Sequence, residues 1–336
     1  MNHSNVISMA FLGLALVTAS CTSRSSIAPG AKIIRVDTGK GISAINRERL
    51  PISDNESLRG AVAVHKVDDT NVLFFMMAGN YCFQYWDCES SEVIGVLRRG
   101  NGPGELPDAV FVSGWVGDEG DLYFSAYSMA AGKYYEINLT RTLESGKTSV
   151  VRETKLPSTT FYALQAGDIT ACFVYSINGE LSWQLLKDGE IQEKWIPFDT
   201  ENLNSQENFF AGTAISEDGN LLAMGMVSFP RLFLFNRASG KTLAIAPDMY
   251  KDSSVKDALR SKTPSRKQYY NGVAIAGNEV YAMYMNPSPS IQIYDFDGNL
   301  HGNFGVPDIL VNFIVSGEGI IGITMDGEVL RYSLAR

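Results

Sequence analysis

Aromatic rings beside amides and a few charges recur at turn-rich points of this 336-residue sequence, and these are the side chains best suited to meet a ligand. They are Arg98, Arg99, Asn101 and Glu105 in one glycine-rich stretch, then Tyr127, Tyr175, Phe229 with Arg231, Tyr284 with Asn286, and Asp308. Rings supply apolar stacking area while amides and charges supply polar ends, a combination that suits a sugar or a peptide. Packing between loops uses the same residue types, so a structural role for each stands beside the binding one.

The glycine-rich stretch runs Arg98-Arg99-Gly100-Asn101-Gly102-Pro103-Gly104-Glu105. Its three glycines permit positive φ and Pro103 has no amide hydrogen, so a sharp turn is expected rather than a strand or helix. Its consecutive amides can face an anion, with Arg98 and Arg99 adding charge. The structural alternative, which we take as the expectation, has Glu105 accepting hydrogen bonds from the turn and an arginine paired with a carboxylate of the next unit.

Catalytic chemistry is thinly supplied. Past the first twenty residues only His65 and His301 remain, and the sequence has neither a Gly-x-Ser-x-Gly nor a His-Glu-x-x-His motif. Oxygen donors for calcium exist in Asn101, Glu105, Asn178, Asn286 and Asp308, but no spacing gathers them. No cofactor is expected, and calcium is the candidate if one is bound. The alternative to a binding role is therefore a hydrolase or lyase working through a metal or a carboxylate. Cys82 and Cys88 are six residues apart, roughly 20 Å in a continuous strand, so they form no bridge without a turn. No Cys-x-x-Cys pair offers a zinc site.

The elements that would position these groups repeat. An apolar strand, a tight polar turn and a second apolar strand occur six times, with Val72, Leu122, Ile169, Leu221, Val280 and Ile320 at equivalent points. The intervals are 50, 47, 52, 59 and 40 residues, the period of a four-stranded propeller blade. Third strands such as Lys133 to Ile137 and fourth strands such as Lys241 to Ile245 complete the units, with Asp-Gly pairs at hairpin turns. An all-β, six-bladed β-propeller of four-stranded antiparallel blades follows. The sixth unit ends without a fourth strand, so an N-terminal strand, Lys32 to Val36, is expected to pair with the C-terminal blade and close the ring. Between units four and five, Asp248 to Lys267 holds six basic and three acidic residues, and Ser254 to Arg260 has the pattern of a short helix.

Charge and leader bound the setting. A net charge of −9 argues against nucleic acid as a partner. Residues 1–20 contain no Asp, Glu, Lys or Arg and read as a signal peptide, followed by Cys21 as a lipidation point and a tether to residue 31. The propeller then spans 32–336.

The lipoprotein-like start, the six units and the Gly100-x-Gly102-Pro103-Gly104-Glu105 stretch after the first complete blade resemble the TolB-like six-bladed β-propeller lipoproteins of Bacteroides-type bacteria. The resemblance covers nearly the whole mature chain. A monomeric cell-envelope protein is expected, lipid-anchored at the periplasm-facing outer membrane. Its expected ligand is a peptide, protein or glycan, held on the face where fourth-to-first and second-to-third strand loops meet. The resemblance carries fold rather than activity.

Overall fold

The described chain opens with three short strands, β1 (Lys32–Val36), β2 (Ile42–Ala44) and β3 (Asn46–Arg49). Blade one follows as β4 (Ala61–Lys66), β5 (Asn71–Met76), β6 (Tyr81–Asp87) and β7 (Val93–Arg98). Blade two is β8 (Val110–Val116), β9 (Leu122–Ser128), β10 (Lys133–Asn138) and β11 (Ser149–Lys155), with helix α1 (Leu139–Ser145) between its last two strands. Blade three is β12 (Thr160–Ala166), β13 (Ile169–Tyr175), β14 (Leu181–Lys187) and β15 (Glu190–Trp195). Blade four is β16 (Ala211–Ile215), β17 (Leu221–Met226), β18 (Leu232–Asn236) and β19 (Lys241–Pro247). After α2 (Asp252–Arg260) come blade five, β20 (Tyr270–Ala276), β21 (Glu279–Tyr284), β22 (Ser290–Asp295) and β23 (Leu300–Gly305), and blade six, β24 (Leu310–Ser316), β25 (Gly319–Thr324) and β26 (Val329–Ser333). This computed structural model describes residues 27–90, 92–176, 179–196, 198, 209–260, 267–317 and 319–334.

The blades are antiparallel and stack face to face, so second and third strands are buried on both sides and read as continuous apolar runs. All six residues of β17, Leu-Leu-Ala-Met-Gly-Met, are buried. Outermost strands show the opposite pattern, and β11 and β15 are exposed along most of their length. Close approach at the centre depends on glycine. A Cβ on Gly212 would lie 2.9 Å from Cα of Gly272 on the next innermost strand, and one on Gly114 would lie 2.5 Å from Cα of Val67. Five innermost strands carry an irregular step near their start, for example between Phe111 and Ser113, which bends each strand as it leaves the crossover loops.

An N-terminal strand does close the ring, but it is β3 rather than Lys32 to Val36. β3 pairs antiparallel with β26, from Arg49 opposite Leu330 to Asn46 opposite Ser333, and becomes the fourth strand of blade six. β1 instead lies parallel to β19 as a fifth strand of blade four, and β2 lies parallel to β23 on blade five. The physical reason is that an outermost strand faces water. Its partner strand needs backbone groups rather than apolar side chains, so the polar Asn-Arg-Glu-Arg of β3 serves. Residues 27–50 thus form a strap across three blades. Ile27, Ala28 and Ala31, in the stretch expected to be tether, are buried in the core between blades three and four.

Two α-helices among the described residues complete the picture. α2 covers the expected short helix and adds two residues before it. α1 was not anticipated; the Asn138 side chain accepts from Arg141 N at 2.8 Å to cap its start, and Gly146 at φ 66° ends it.

Candidate functional site

Hydrogen bonds stitch the two loop types into one face. The residue after a second strand donates to the residue before the same blade's first strand: Met77 to Gly60, Val227 to Phe210 and Met285 to Tyr269, at 3.3, 2.9 and 2.8 Å. This is the crossover face, and the glycine-rich stretch lies on it.

That stretch folds as a closed turn. Leu106 N donates to Arg98 O at 3.0 Å, Gly100 N to Leu106 O at 3.1 Å, and Gly102 N to the Glu105 carboxylate at 3.0 Å. A Cβ on Gly100 would collide with that carboxylate, which is why glycine stands there. The turn therefore carries its own anion. Neither arginine pairs with a carboxylate as expected. Arg99 donates to Met76 O at 2.7 Å and Pro107 O at 3.3 Å, and exposed Arg98 lies over the Tyr81 ring at 5.7 Å. Asn101 is exposed.

The remaining candidates divide by depth. Tyr127 is buried, donating to Thr160 O of the next blade at 2.7 Å. Phe229 packs among Phe209 and Phe233 in the core of blades three and four. Arg231 and Tyr284 are also buried, and the structure brings them together beside Tyr270 between blades four and five; the Tyr270 and Tyr284 rings are 5.1 Å apart. Burial pushes the phenols of Tyr127 and Tyr284 up. Tyr175, half-buried, meets Phe161 edge to face. Asn286, half-buried, precedes Pro287 through a cis peptide bond. Asp308 receives Arg47 Nε and the Tyr332 hydroxyl, both at 2.8 Å. Cys21 and Asn178 lie outside the described residues, as do Lys262 and Arg266 of the basic insertion.

The groups offered for calcium do not converge. Glu105 is committed to its turn, and Asp308 to Arg47 and Tyr332. Among the described residues, no three His, Cys, Asp or Glu side chains gather. His65 stacks on Phe111 at 4.4 Å, and its apolar surroundings push the imidazole down to about 3. His301 Nε2 lies 3.1 Å from Asp295 on the outer part of blade five, away from this face. Cys82, Cys88 and Cys172 are free thiols, and burial raises the latter two to about 11 and about 12.

Sequence reading passed over two features. Asp108 fixes the loop after β9, accepting from Ser128 Oγ, from Met129 N at 2.9 Å and from Ala130 N at 3.2 Å. The second is methionine. The first residue after the second strand is Met77, Met129, Met285 and Met325 in four of the six blades, with Ser176 and Val227 in the others. Met77, Met129 and Met325 are 70%, 59% and 74% exposed, and exposed Met249, Phe210 and Ile309 lie on the same face. Aligning the units on their second strands, one residue further along, would have revealed the pattern.

The arrangement is that of a six-bladed β-propeller whose crossover face carries several exposed apolar side chains. No family model matches the sequence, and no curated protein matches it. Among solved structures it is similar to a Bacteroides fragilis protein described as exported, at 12% identity and TM-score 0.58, covering 90% of this chain and 99% of that one. It is also similar to hydrazine synthase of Kuenenia stuttgartiensis, at 10% identity and TM-score 0.50, covering 83% and 97%. Virginiamycin B lyase of Staphylococcus aureus follows at 12% identity and TM-score 0.46, covering 87% and 89%. At these identities the likeness is one of fold, and the lyase carries no argument about chemistry.

Proposed function

We propose that this chain is an exported cell-envelope propeller of the TolB-like lipoprotein kind, anchored through Cys21, that holds a protein or peptide segment on its crossover face. The observation that carries the reading is the set of exposed methionines in equivalent loops. Exposed apolar side chains grouped on one face are a binding feature, and methionine adapts to irregular apolar partners. The loops Met77 to Asn80, Met129 to Gly132, Val227 to Pro230 and Met285 to Pro289 hold no charged residue, so an apolar segment docks on them without stranding a charge, while the Met325 loop adds Asp326 and Glu328 at one side. The rigid ring supplies the platform and the loops supply the contacts.

The test is cross-linking in intact cells from photoreactive groups placed beside Met77 and Met325, comparing the native protein with M77E/M129E/M325E. Loss of the cross-linked partner in a variant that still folds supports the reading. An unchanged partner pattern sinks it. Mass spectrometry of the mature N-terminus, with and without Cys21→Ala, tests the anchor separately.

A further inference from the structure

We infer that the outer rim between blades four and five carries a second ligand site, shaped for a small hydroxylated anion such as an acidic sugar. The strap leaves blade four at Val36, arches over residues 37–41 and reaches β23 only at Asn303. The β23 edge from Leu300 to Gly302 is left without a neighbouring strand, and an open groove of about 520 Å³ lies between it and β1. That volume falls within the range of roughly 300 to 1,000 Å³ usual for small-molecule sites.

Three basic side chains line the groove: Arg35 and Lys40 from the strap and His301 from β23. In a chain of net charge −9, most strap and blade arginines, such as Arg47, Arg49, Arg152 and Arg237, have carboxylate partners. Arg35 and Lys40 have no carboxylate within ion-pair distance among the described residues. Arg35 donates one N–H to Tyr250 O at 3.1 Å and keeps its other donors. Two acids stand near them, Asp37 in the groove lining and Asp295 beside His301. Asp37 accepts from Gly39 N at 3.1 Å, while Asp295 accepts from Asn299 and Asp297 and holds His301.

The groove floor adds an acceptor. Asn303, 4% exposed, donates its amide nitrogen to Thr38 O at 3.0 Å and Lys40 O at 3.3 Å, which fixes the oxygen end of the amide. Its Oδ1 has no hydrogen-bond partner among the described residues. A buried acceptor without a donor is costly, and a ligand hydroxyl supplies that donor. Cations on the walls and an unmet acceptor at the floor together select a carboxylate or phosphate carried on the same small molecule as a hydroxyl. Uronates and sugar phosphates share that chemistry.

The experiment is calorimetric titration of the full chain with digalacturonate and with galactose 1-phosphate, against galactobiose and inorganic phosphate as controls. At least one of the two hydroxylated anions binds, which assigns the carboxylate or the phosphate source, and galactobiose does not. The exposed double variant R35E/K40E weakens binding at least tenfold, and His301→Gln weakens it severalfold, each with an unchanged melting profile. M77E/M129E/M325E binds as the native chain does, which separates this site from the crossover face. Absence of binding by both hydroxylated anions, unaltered affinity in R35E/K40E, or inorganic phosphate binding as tightly as the sugar acids would each overturn the inference.

Discussion

Glu105 turns a loop that could bind an anion into one that supplies its own. Replacing it with Ala leaves Gly102 N without its acceptor and is expected to lower stability by about 1–2 kcal/mol, read by urea unfolding. Gly100→Ala drives a methyl group into the same carboxylate and is expected to cost about as much or more. His65 yields a pH signature. Its imidazole is held far below its ordinary value by apolar surroundings, so the unfolded chain binds the proton more readily. Stability from this residue is complete above about pH 6.5 and falls as pH drops toward 3, by at most about 1.4 kcal/mol per unit. The difference between native protein and His65→Gln, followed from pH 7 to pH 4.5, should show that slope; parallel curves would count against it. The Glu105 bond was legible in the sequence, but the setting of His65 was not, because the sequence offered it only as a residue in a strand and could not show Phe111 lying across it.

At the scale of elements, the apolar strands were legible and the polar ones were not. Second strands such as Leu221 to Met226 are buried on both faces, so their composition announces them. β3 faces water along its whole length, and its Asn-Arg-Glu-Arg composition gives no signal of its own. Its role is visible only once β26 presents an open edge. α1 was hidden for a related reason, because seven residues are too few to show helical periodicity, although Asn138 and Gly146 at its ends could have marked it. The crossover turn was legible because glycine and proline are conformational signals, whereas the depth of Tyr127, Phe229, Arg231 and Tyr284 depends on neighbouring blades. Innermost strands are the sensitive elements. Gly212→Ala, with a Cβ pressed toward Cα of Gly272, is expected to destabilise by about 1–3 kcal/mol, whereas Gly120→Ala on an open turn meets no neighbour and loses only what its positive φ demands. Comparable losses at the two sites would contradict the packing argument.

For the whole molecule, the ring and the strap make separable contributions. A chain beginning at residue 42 keeps β3 and so keeps the ring closed, but it uncovers the β19 edge and Ile27, Ala28, Ala31 and Ile33 leave the core. It should remain folded with a lower midpoint in urea. A chain beginning at residue 51 loses the fourth strand of blade six and should unfold at far lower denaturant or associate through the exposed β26 edge, seen as a concentration-dependent elution volume. Equal behaviour of the two truncations would mean that β3 does not secure the ring.

The strap also sets an order of events. β1 pairs with residues over 200 positions later in the sequence, and β3 pairs with β26, the last described strand. Contacts so distant in sequence form late, so β1 waits for blade four, β2 for blade five and β3 for blade six, and ring closure is the last pairing to be made.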